Sequence, residues 1–360
     1  MNTLRWGILS TANIATKNWK AIRHSGNSIV TAVASRDVER SRRFIEQCQA
    51  ETPFAAAPAA LGSYEALLAS KQVDAVYIPL PTGLRKDWVL RAAAAGKHVL
   101  CEKPCGLNAA DVREMIDACR KHRVQFMDGV MFMHNRRLER LRRILDDRQS
   151  VGQVKRIMSI FTFRVAEEFF RDNIRVHSGL EPTGCLGDLG WYCLRFALWT
   201  MNWQMPREVT GRILSQRGNQ LSPAPAPTDF SGELIFDDDT SAGFFSSFLV
   251  EKRQWVDVSG TRGNFRLPDF VHPDSDHEPG FELNDREVRV KCCRCRGRHT
   301  QSRAVAQDAN MFRNFASQVR SGKLNPAWPM WALKTQQVMD ACFASAHKGG
   351  RAIAPDFGAR

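Results

Sequence analysis

The chain has 360 residues, 43% apolar and 25% charged, and a formal net charge of +13. That length exceeds one ordinary hydrophobic core and predicts two domains, while no apolar run approaches the ~20 residues a bilayer-spanning helix needs. The positive balance invites a nucleic-acid reading, but the basic residues fall at helical spacing beside acids, as in Arg136-Arg137-Leu138-Glu139-Arg140-Leu141-Arg142-Arg143, which is the pattern of a solvated face, and no nucleic-acid module accompanies them.

In chain order, the apolar run 4–9 predicts a strand, and the small and polar residues Ser10-Thr11-Ala12-Asn13 lead into a helix over 13–24. A second strand follows over 28–34, after the turn residues Ser25-Gly26-Asn27. The alternation continues with helices over 38–49 and 63–70, a strand over 73–78, a helix over 84–95, a strand over 98–101, a helix over 108–121 and a strand over 125–127. Such regular alternation predicts a doubly wound parallel sheet of Rossmann type, an α/β domain over 1–130. Past 130 the rhythm changes. One basic helix (134–146) precedes β-type runs at 153–165, 207–217, 229–237, 241–250, 254–259 and 286–292, with a helix over 187–201 among them and helices over 308–321 and 330–347 at the end. Strands in runs predict an α+β domain over 131–360 with a largely antiparallel open sheet, whose C-terminal helix could pack back on the first domain. The stretch Ser222-Pro223-Ala224-Pro225-Ala226-Pro227 reads as a stiff, exposed connection inside that domain.

The ten cysteines are scattered, several within apolar runs, and read as reduced thiols. With an N-terminus that enters a strand at once, without a secretory leader, they point to the cytoplasm. Cys292-Cys293-Arg294-Cys295 with His299 lacks the paired C-x-x-C spacing of a zinc site, so no metal is expected.

In a Rossmann domain the turn after the first strand carries the dinucleotide pyrophosphate on the N-terminus of the first helix. Here the G-x-G-x-x-G positions are Ser10, Ala12 and Ala15, small but none of them glycine, so the candidate phosphate turn is Ser10, Thr11, Ala12, Asn13 and Ile14. After the second strand, Ser35-Arg36-Asp37 stands where NAD enzymes place an acid on the ribose and NADP enzymes a cation on the 2′-phosphate. Ser35 and Arg36, with Arg40 one turn later, are the expected phosphate ligands. The pattern favours NADP, and Asp37 leaves NAD open.

Four segments carry a family resemblance: Trp6-Gly7-Ile8-Leu9-Ser10-Thr11-Ala12-Asn13-Ile14-Ala15, Val33-Ala34-Ser35-Arg36-Asp37, Ala94-Ala95-Gly96-Lys97-His98-Val99-Leu100-Cys101-Glu102-Lys103-Pro104 and Gly184-Cys185-Leu186-Gly187-Asp188-Leu189-Gly190-Trp191-Tyr192. Through them the chain resembles the glucose-fructose oxidoreductase/inositol dehydrogenase (Gfo/Idh/MocA) family, in the branch of glucose-fructose oxidoreductase and dihydrodiol/xylose dehydrogenases. The resemblance implies a hydride transfer between NADP(H) and the carbinol or carbonyl carbon of a sugar, cyclic polyol or diol. It gives Lys103 the place beside the nicotinamide and the reacting carbon, where an ammonium stabilises negative charge developing on the substrate oxygen. Glu102, Pro79, Pro81 and Thr82 join the cofactor-binding set. Asp188 and Tyr192, four apart and expected on one helical face, match the family's second signature. Tyr192 is then the acid/base, helped by the lysine and an oxidised ring, and Asp188 orients the substrate hydroxyl or the lysine.

Two positions depart from the family pattern. The phosphate turn lacks glycine, and Pro81-Thr82-Gly83-Leu84-Arg85 replaces a Pro-Asn-x-x-His run, with Arg85 expected on the cofactor phosphate or in solvent. Arg164, Phe169, Phe170, Arg171, Asn173, Arg175, His177 and Trp191 are expected around the substrate, stacking on a sugar or ring; their basic members leave an acidic substrate open. Similar proteins form homodimers or higher oligomers through the exposed sheet face. A non-catalytic dinucleotide-binding regulator or scaffold is the alternative function, and intact Lys103, Asp188 and Tyr192 weigh against it.

Overall fold

The first third of the chain forms six strands, all but the edge strand β3 largely buried: β1 (Leu4–Leu9), β2 (Ser28–Ala34), β3 (Ala59–Leu61), β4 (Ala75–Ile78), β5 (His98–Cys101) and β6 (Phe126–Asp128). A computed structural model describes residues 3–273, 280–290 and 306–355. The strands are parallel, in the order β3-β2-β1-β4-β5-β6. Helices α1 (Asn13–Ser25), α2 (Val38–Glu51), α3 (Tyr64–Ala69), α4 (Thr82–Ala94) and α5 (Ala109–Lys121) connect them. This is the doubly wound arrangement, which reverses between β1 and β4 and opens its binding crevice at the C-terminal strand ends there. Helix α1 shows why the local sequence folds so. Ala15, Asn18, Trp19, Ala21, Ile22 and Ser25 are buried at helical spacing, and Gly26 ends the helix at φ 79°, where a side chain would be strained.

The remaining elements are α6 (Arg136–Asp146), β7 (Val154–Thr162), the one-turn α7 (Phe169–Asp172), a π-helical segment Leu186–Gly190 running into α8 (Trp191–Thr200), then β8 (Glu208–Arg217), β9 (Ala226–Ile235), β10 (Ser241–Ser247), β11 (Val256–Gly260), β12 (Asn264–Leu267), β13 (Gly280–Leu283), β14 (Arg286–Arg289), α9 (Gln307–Arg320) and α10 (Ala327–His347). Strands β7–β14 form one eight-stranded sheet, ordered β14-β13-β12-β11-β7-β10-β9-β8. It is mostly antiparallel, but the interior pair β7–β10 is parallel, so the sheet is mixed. Burial alternates along β7, as expected of a sheet packed on one face, whereas every residue of α8 is buried. The Asp237–Asp239 turn joins β9 to β10, closed by Phe236 N–H donating to Thr240 O at 2.9 Å.

The described chain divides into two compact units. One holds residues 3–105, 110–135 and 306–330; the other holds 106–109, 136–273, 280–290 and 331–355. The C-terminal part expected within 131–360 is therefore shared. Helix α9 belongs to the first unit, where Phe312 and Phe315 pack on Trp6 at ring distances of 5.1 Å. From Trp331 onward α10 belongs to the second. In the proline-rich stretch, Ser222–Pro225 is the connection between β8 and β9, while Ala226 and Pro227 are already buried strand. No helix among the described residues is long and apolar enough to cross a membrane.

Candidate active site

Four segments at the C-terminal ends of β1, β2, β4 and β5 carry the expected cofactor residues. After β1 the chain turns at Ser10, whose φ of 133° is a conformation that favours glycine. Ser10 thus takes the backbone shape of the missing glycine and steadies it, its Oγ accepting from Ala12 N–H at 3.1 Å. Helix α1 opens on Ala12 with no side-chain cap, so nothing of its own competes with an anion for the first-turn N–H groups of Asn13 and Ile14. Thr11 and Ala12 are small enough to leave that end open. These residues fit a dinucleotide pyrophosphate.

After β2, the Ser35 hydroxyl is used up locally. It donates to Asp37 O at 2.5 Å and accepts from Asp37 N–H and the Ser41 hydroxyl, both at 3.2 Å. A hydroxyl has one proton, and Ser35 gives it to the turn it builds. Asp37 caps α2, its carboxylate accepting from Glu39 N–H at 2.9 Å. Arg36 and Arg40 are exposed at this strand end, as are Asp37 and Glu39. Tyr64, at the start of α3, lies beside them: burial pushes its phenol pKa up, while the charges of Arg36 and Arg40 and a hydrogen bond with Ser10 pull it down. Tyr64 was not singled out from sequence, because the SYEAL run that holds it reads only as a helix start.

The loop after β5 is the most tightly built. Glu102 is buried, and its Oε1 accepts from the Tyr77 hydroxyl at 2.6 Å and from Asn18 Nδ2 at 3.4 Å. Asn18 also donates to the Tyr77 oxygen at 2.6 Å, and Lys103 N–H reaches Glu102 Oε2 at 3.3 Å. Burial first, then the Glu102 charge, raises the Tyr77 pKa far above its ordinary value, so the phenol stays protonated and donates. Glu102 is therefore an anchor beneath the loop, and Lys103, half-buried, follows it directly before a cis Lys103–Pro104 bond.

Arg85 corrects the expectation that it meets the cofactor phosphate or solvent. It is buried, with Nε donating to Leu80 O at 2.7 Å and Nη1 to Thr82 Oγ1 at 2.9 Å and to Pro104 O. The guanidinium ties the Pro79-Leu80-Pro81 segment to the Lys103-Pro104 loop. Thr82, expected on the cofactor, is buried and joins the same tie by donating to Pro104 O at 3.4 Å.

In the second unit, Asp188 sits in the π-helical segment, where Trp191 N–H donates to Leu186 O, one residue beyond α-helical register. Gly184 makes this approach possible: its φ is +47°, and a Cβ there would lie 2.2 Å from Pro227 O. Asp188 Oδ2 pairs with Arg175 Nε at 2.8 Å. The Arg175 pKa is raised, first by the Asp188 charge, against burial, with Glu181 and Tyr192 adding to it. Tyr192, on the first turn of α8, is buried and meets Phe161 edge-on at 5.4 Å. So Asp188, Arg175, Glu181 and Tyr192 form one cluster.

The other residues expected around the substrate divide. Trp191 is fully buried, with Arg195 over its ring at 5.7 Å, and belongs to the core. Asn173 caps the turn that carries Arg175, accepting from its N–H at 3.0 Å. Phe170 and Arg164 line a cavity of about 520 Å³ with Glu167, Arg217 and Glu251, in which Arg217 stacks on Phe170 at 4.6 Å. Phe169 packs on Phe170 and Phe248, Arg171 is exposed, and the His177 Nδ1 has no hydrogen-bond partner among the described residues. Cys292, Cys293, Cys295 and His299 lie outside the described residues; among those described, no group of His, Cys, Asp and Glu is placed to hold a metal.

Comparison with known proteins gives the family. Residues 4–130 match the family model for the Gfo/Idh/MocA oxidoreductase family, NAD-binding Rossmann fold, and residues 138–266 match the Gfo/Idh/MocA C-terminal domain. The chain is 33% identical over 287 residues to D-xylose 1-dehydrogenase (NADP(+)) 2 of Haloferax volcanii, covering 79% of this chain and 82% of that protein. It is 31% identical over 269 residues to trans-1,2-dihydrobenzene-1,2-diol dehydrogenase of Sus scrofa, covering 74% of each. Among solved structures, aldose-aldose oxidoreductase from Caulobacter crescentus superposes with a TM-score of 0.82 at 22% identity, over 98% of this chain and 99% of that one, a likeness of fold. The chain belongs to the Gfo/Idh/MocA oxidoreductase family and is an NAD(P)-dependent oxidoreductase.

Proposed function

We propose that the enzyme is NADP-dependent and moves a hydride between the nicotinamide and a carbinol or carbonyl carbon of a sugar, cyclic polyol or diol. The observation that carries this reading is the Lys103 loop, presented at the C-terminal end of β5 and held from below by buried Glu102 and from the side by Arg85. The relatives support the substrate class: one is a D-xylose dehydrogenase using NADP and another a dihydrodiol dehydrogenase.

Bound NADP would supply the hydride acceptor or donor. Ser10, Thr11, Ala12, Asn13 and Ile14 would hold its pyrophosphate through backbone N–H groups, with Arg36 and Arg40 on the 2′-phosphate. Pro79, Pro81, Thr82 and Glu102 would shape the loops around it without lending it a charged ligand. Lys103 then hydrogen-bonds the substrate oxygen and strengthens that bond as negative charge grows there. Tyr192 takes the hydroxyl proton during oxidation and returns it during reduction, while Asp188 orients the hydroxyl. Seven described cysteines are all buried free thiols, which suits the cytoplasm. Met158 of β7 and Leu214 of β8, exposed on sheet strands, suit self-association into a homodimer or larger oligomer.

Fluorescence titration with NADPH and NADH, followed by a sugar and diol panel read at the nicotinamide absorbance, tests the proposal. Lys103→Met should lower kcat by about 10³-fold or more with NADPH binding retained. Arg36→Ala should weaken NADPH by roughly 10- to 100-fold and leave NADH unchanged. Turnover that survives Lys103→Met would overturn the reading.

A further inference from the structure

The Arg175–Asp188 pair has more built around it than a surface ion pair needs. The Arg175 turn is capped by Asn173 and fastened to the connection between β8 and β9: Ser178 N–H donates to Ser222 Oγ at 2.9 Å, and Ala224 N–H to Ser178 Oγ at 3.0 Å. Downstream, Glu181 N–H donates to His177 O at 2.8 Å, closing the same loop. Its partner Asp188 is only 13% exposed and sits in the π-helical segment, while Arg175 is 41% exposed. A turn pinned at both ends thus carries its cation to one carboxylate oxygen. Such single-turn π segments cost helical hydrogen-bond geometry and recur at functional sites.

We propose that Arg175 is a positioning residue of the reaction, which holds the Asp188 carboxylate ionised and in one orientation. The inference rests on the role given above to Asp188. Taken from an unpaired, largely buried carboxylate, a proton is harder to remove, because burial disfavours the charged form and an adjacent cation favours it. The titratable groups around the pair come from several elements: Glu181 in the loop, Tyr192 on α8, the Cys185 thiol at the start of the π segment, and Asp229 on β9, which with Asp188 bears on that thiol. Glu181, Asp229 and any ionised Tyr192 would disfavour a second negative charge, and the Arg175 cation, 2.8 Å from Asp188 Oδ2, opposes them.

The test compares wild type, Arg175→Met and Arg175→Lys. Arg175→Met should lower kcat by about 10- to 100-fold with the KM for NADPH unchanged, and move the acidic limb of the kcat/KM profile upward by about one pH unit. Arg175→Lys should restore most of the pH profile, because it restores the charge. Carbon-13 NMR of the Asp188 carboxyl, assigned by difference from Asp188→Asn, reads the same quantity without turnover. If Arg175→Met fails to fold, Ser222→Ala, which loosens the turn, should move the carboxyl titration in the same direction by a smaller amount. A carboxyl that titrates alike in wild type and Arg175→Met, or in wild type and Ser222→Ala where Arg175→Met fails to fold, overturns the inference. A wild type that turns over no substrate, but whose Asp188 titration shifts in Arg175→Met, sinks the proposed function and leaves the ion-pair inference standing.

Discussion

The two units each hold a buried or nearly buried carboxylate at the proposed reaction machinery, and they hold it in opposite ways. Glu102 is met by neutral donors, the Tyr77 hydroxyl and the Asn18 amide, under a loop it never leaves. Asp188 is met by a guanidinium from a separately anchored turn. A carboxylate in a cage of neutral hydrogen bonds is a structural fixture, stabilised by contacts that salt does not screen. One held by a partly exposed cation keeps its charge for use and its environment open to change. The first unit is built to present Lys103 in one place; the second is built to keep an acid charged.

The largest effect that would sharpen this contrast is Glu102→Ala. It leaves the Tyr77 hydroxyl and Asn18 amide buried without their anionic partner, which should cost about 3 kcal/mol or more in urea unfolding and lower turnover by freeing the Lys103 loop. Tyr77→Phe removes one donor only and should cost about 1–2 kcal/mol. If both variants unfold like wild type, Glu102 is not the fixture described. Next in size is Gly184→Ala. The new Cβ must escape Pro227 O from 2.2 Å in a positive-φ backbone, so it should cost roughly 1–3 kcal/mol and push the π segment that carries Asp188. Activity should fall while NADPH affinity, a property of the other unit, stays put. Equal losses of both would erase the contrast.

The same contrast explains what the sequence made legible. Lys103, Asp188 and Tyr192 became candidates through the family resemblance, whose motifs are local runs of sequence. The partners of these residues could not. Glu102 meets Tyr77 from 25 positions away and Asn18 from 84, distances that only the folded sheet closes. Arg175 was visible as a cation near the site, but nothing in sequence says whether a guanidinium faces a substrate or the enzyme's own acid. Arg85 was left between the cofactor phosphate and solvent; that it is buried and donates to Leu80 O, Thr82 Oγ1 and Pro104 O is an accounting that needs coordinates. Strands β3, β12 and β13, of three or four residues, are too short for alternation to register. The π register of 186–190 needs one extra residue in a turn whose composition is otherwise helical.

The smallest expected effect is a pH dependence at the opposite end of β5, the strand that delivers Glu102 and Lys103. His98 Nδ1 accepts from Gln125 N–H at 2.9 Å, which requires the ring unprotonated at that nitrogen. Burial lowers its pKa below the ordinary histidine value, with the Asp74 charge opposing in part. Above about pH 6.5 the ring is neutral in both folded and unfolded chains and contributes no slope. As the pH falls below that value the unfolded chain takes up a proton that the folded chain refuses, so stability declines until the folded pKa is passed, and then levels. Thermal unfolding stepped through this range should show the melting temperature of wild type falling faster than that of His98→Asn, whose amide oxygen can still accept from Gln125 without titrating. Parallel profiles would mean that His98 protonates within the native sheet, and that the strand beneath Lys103 is less rigid than its hydrogen bonds imply.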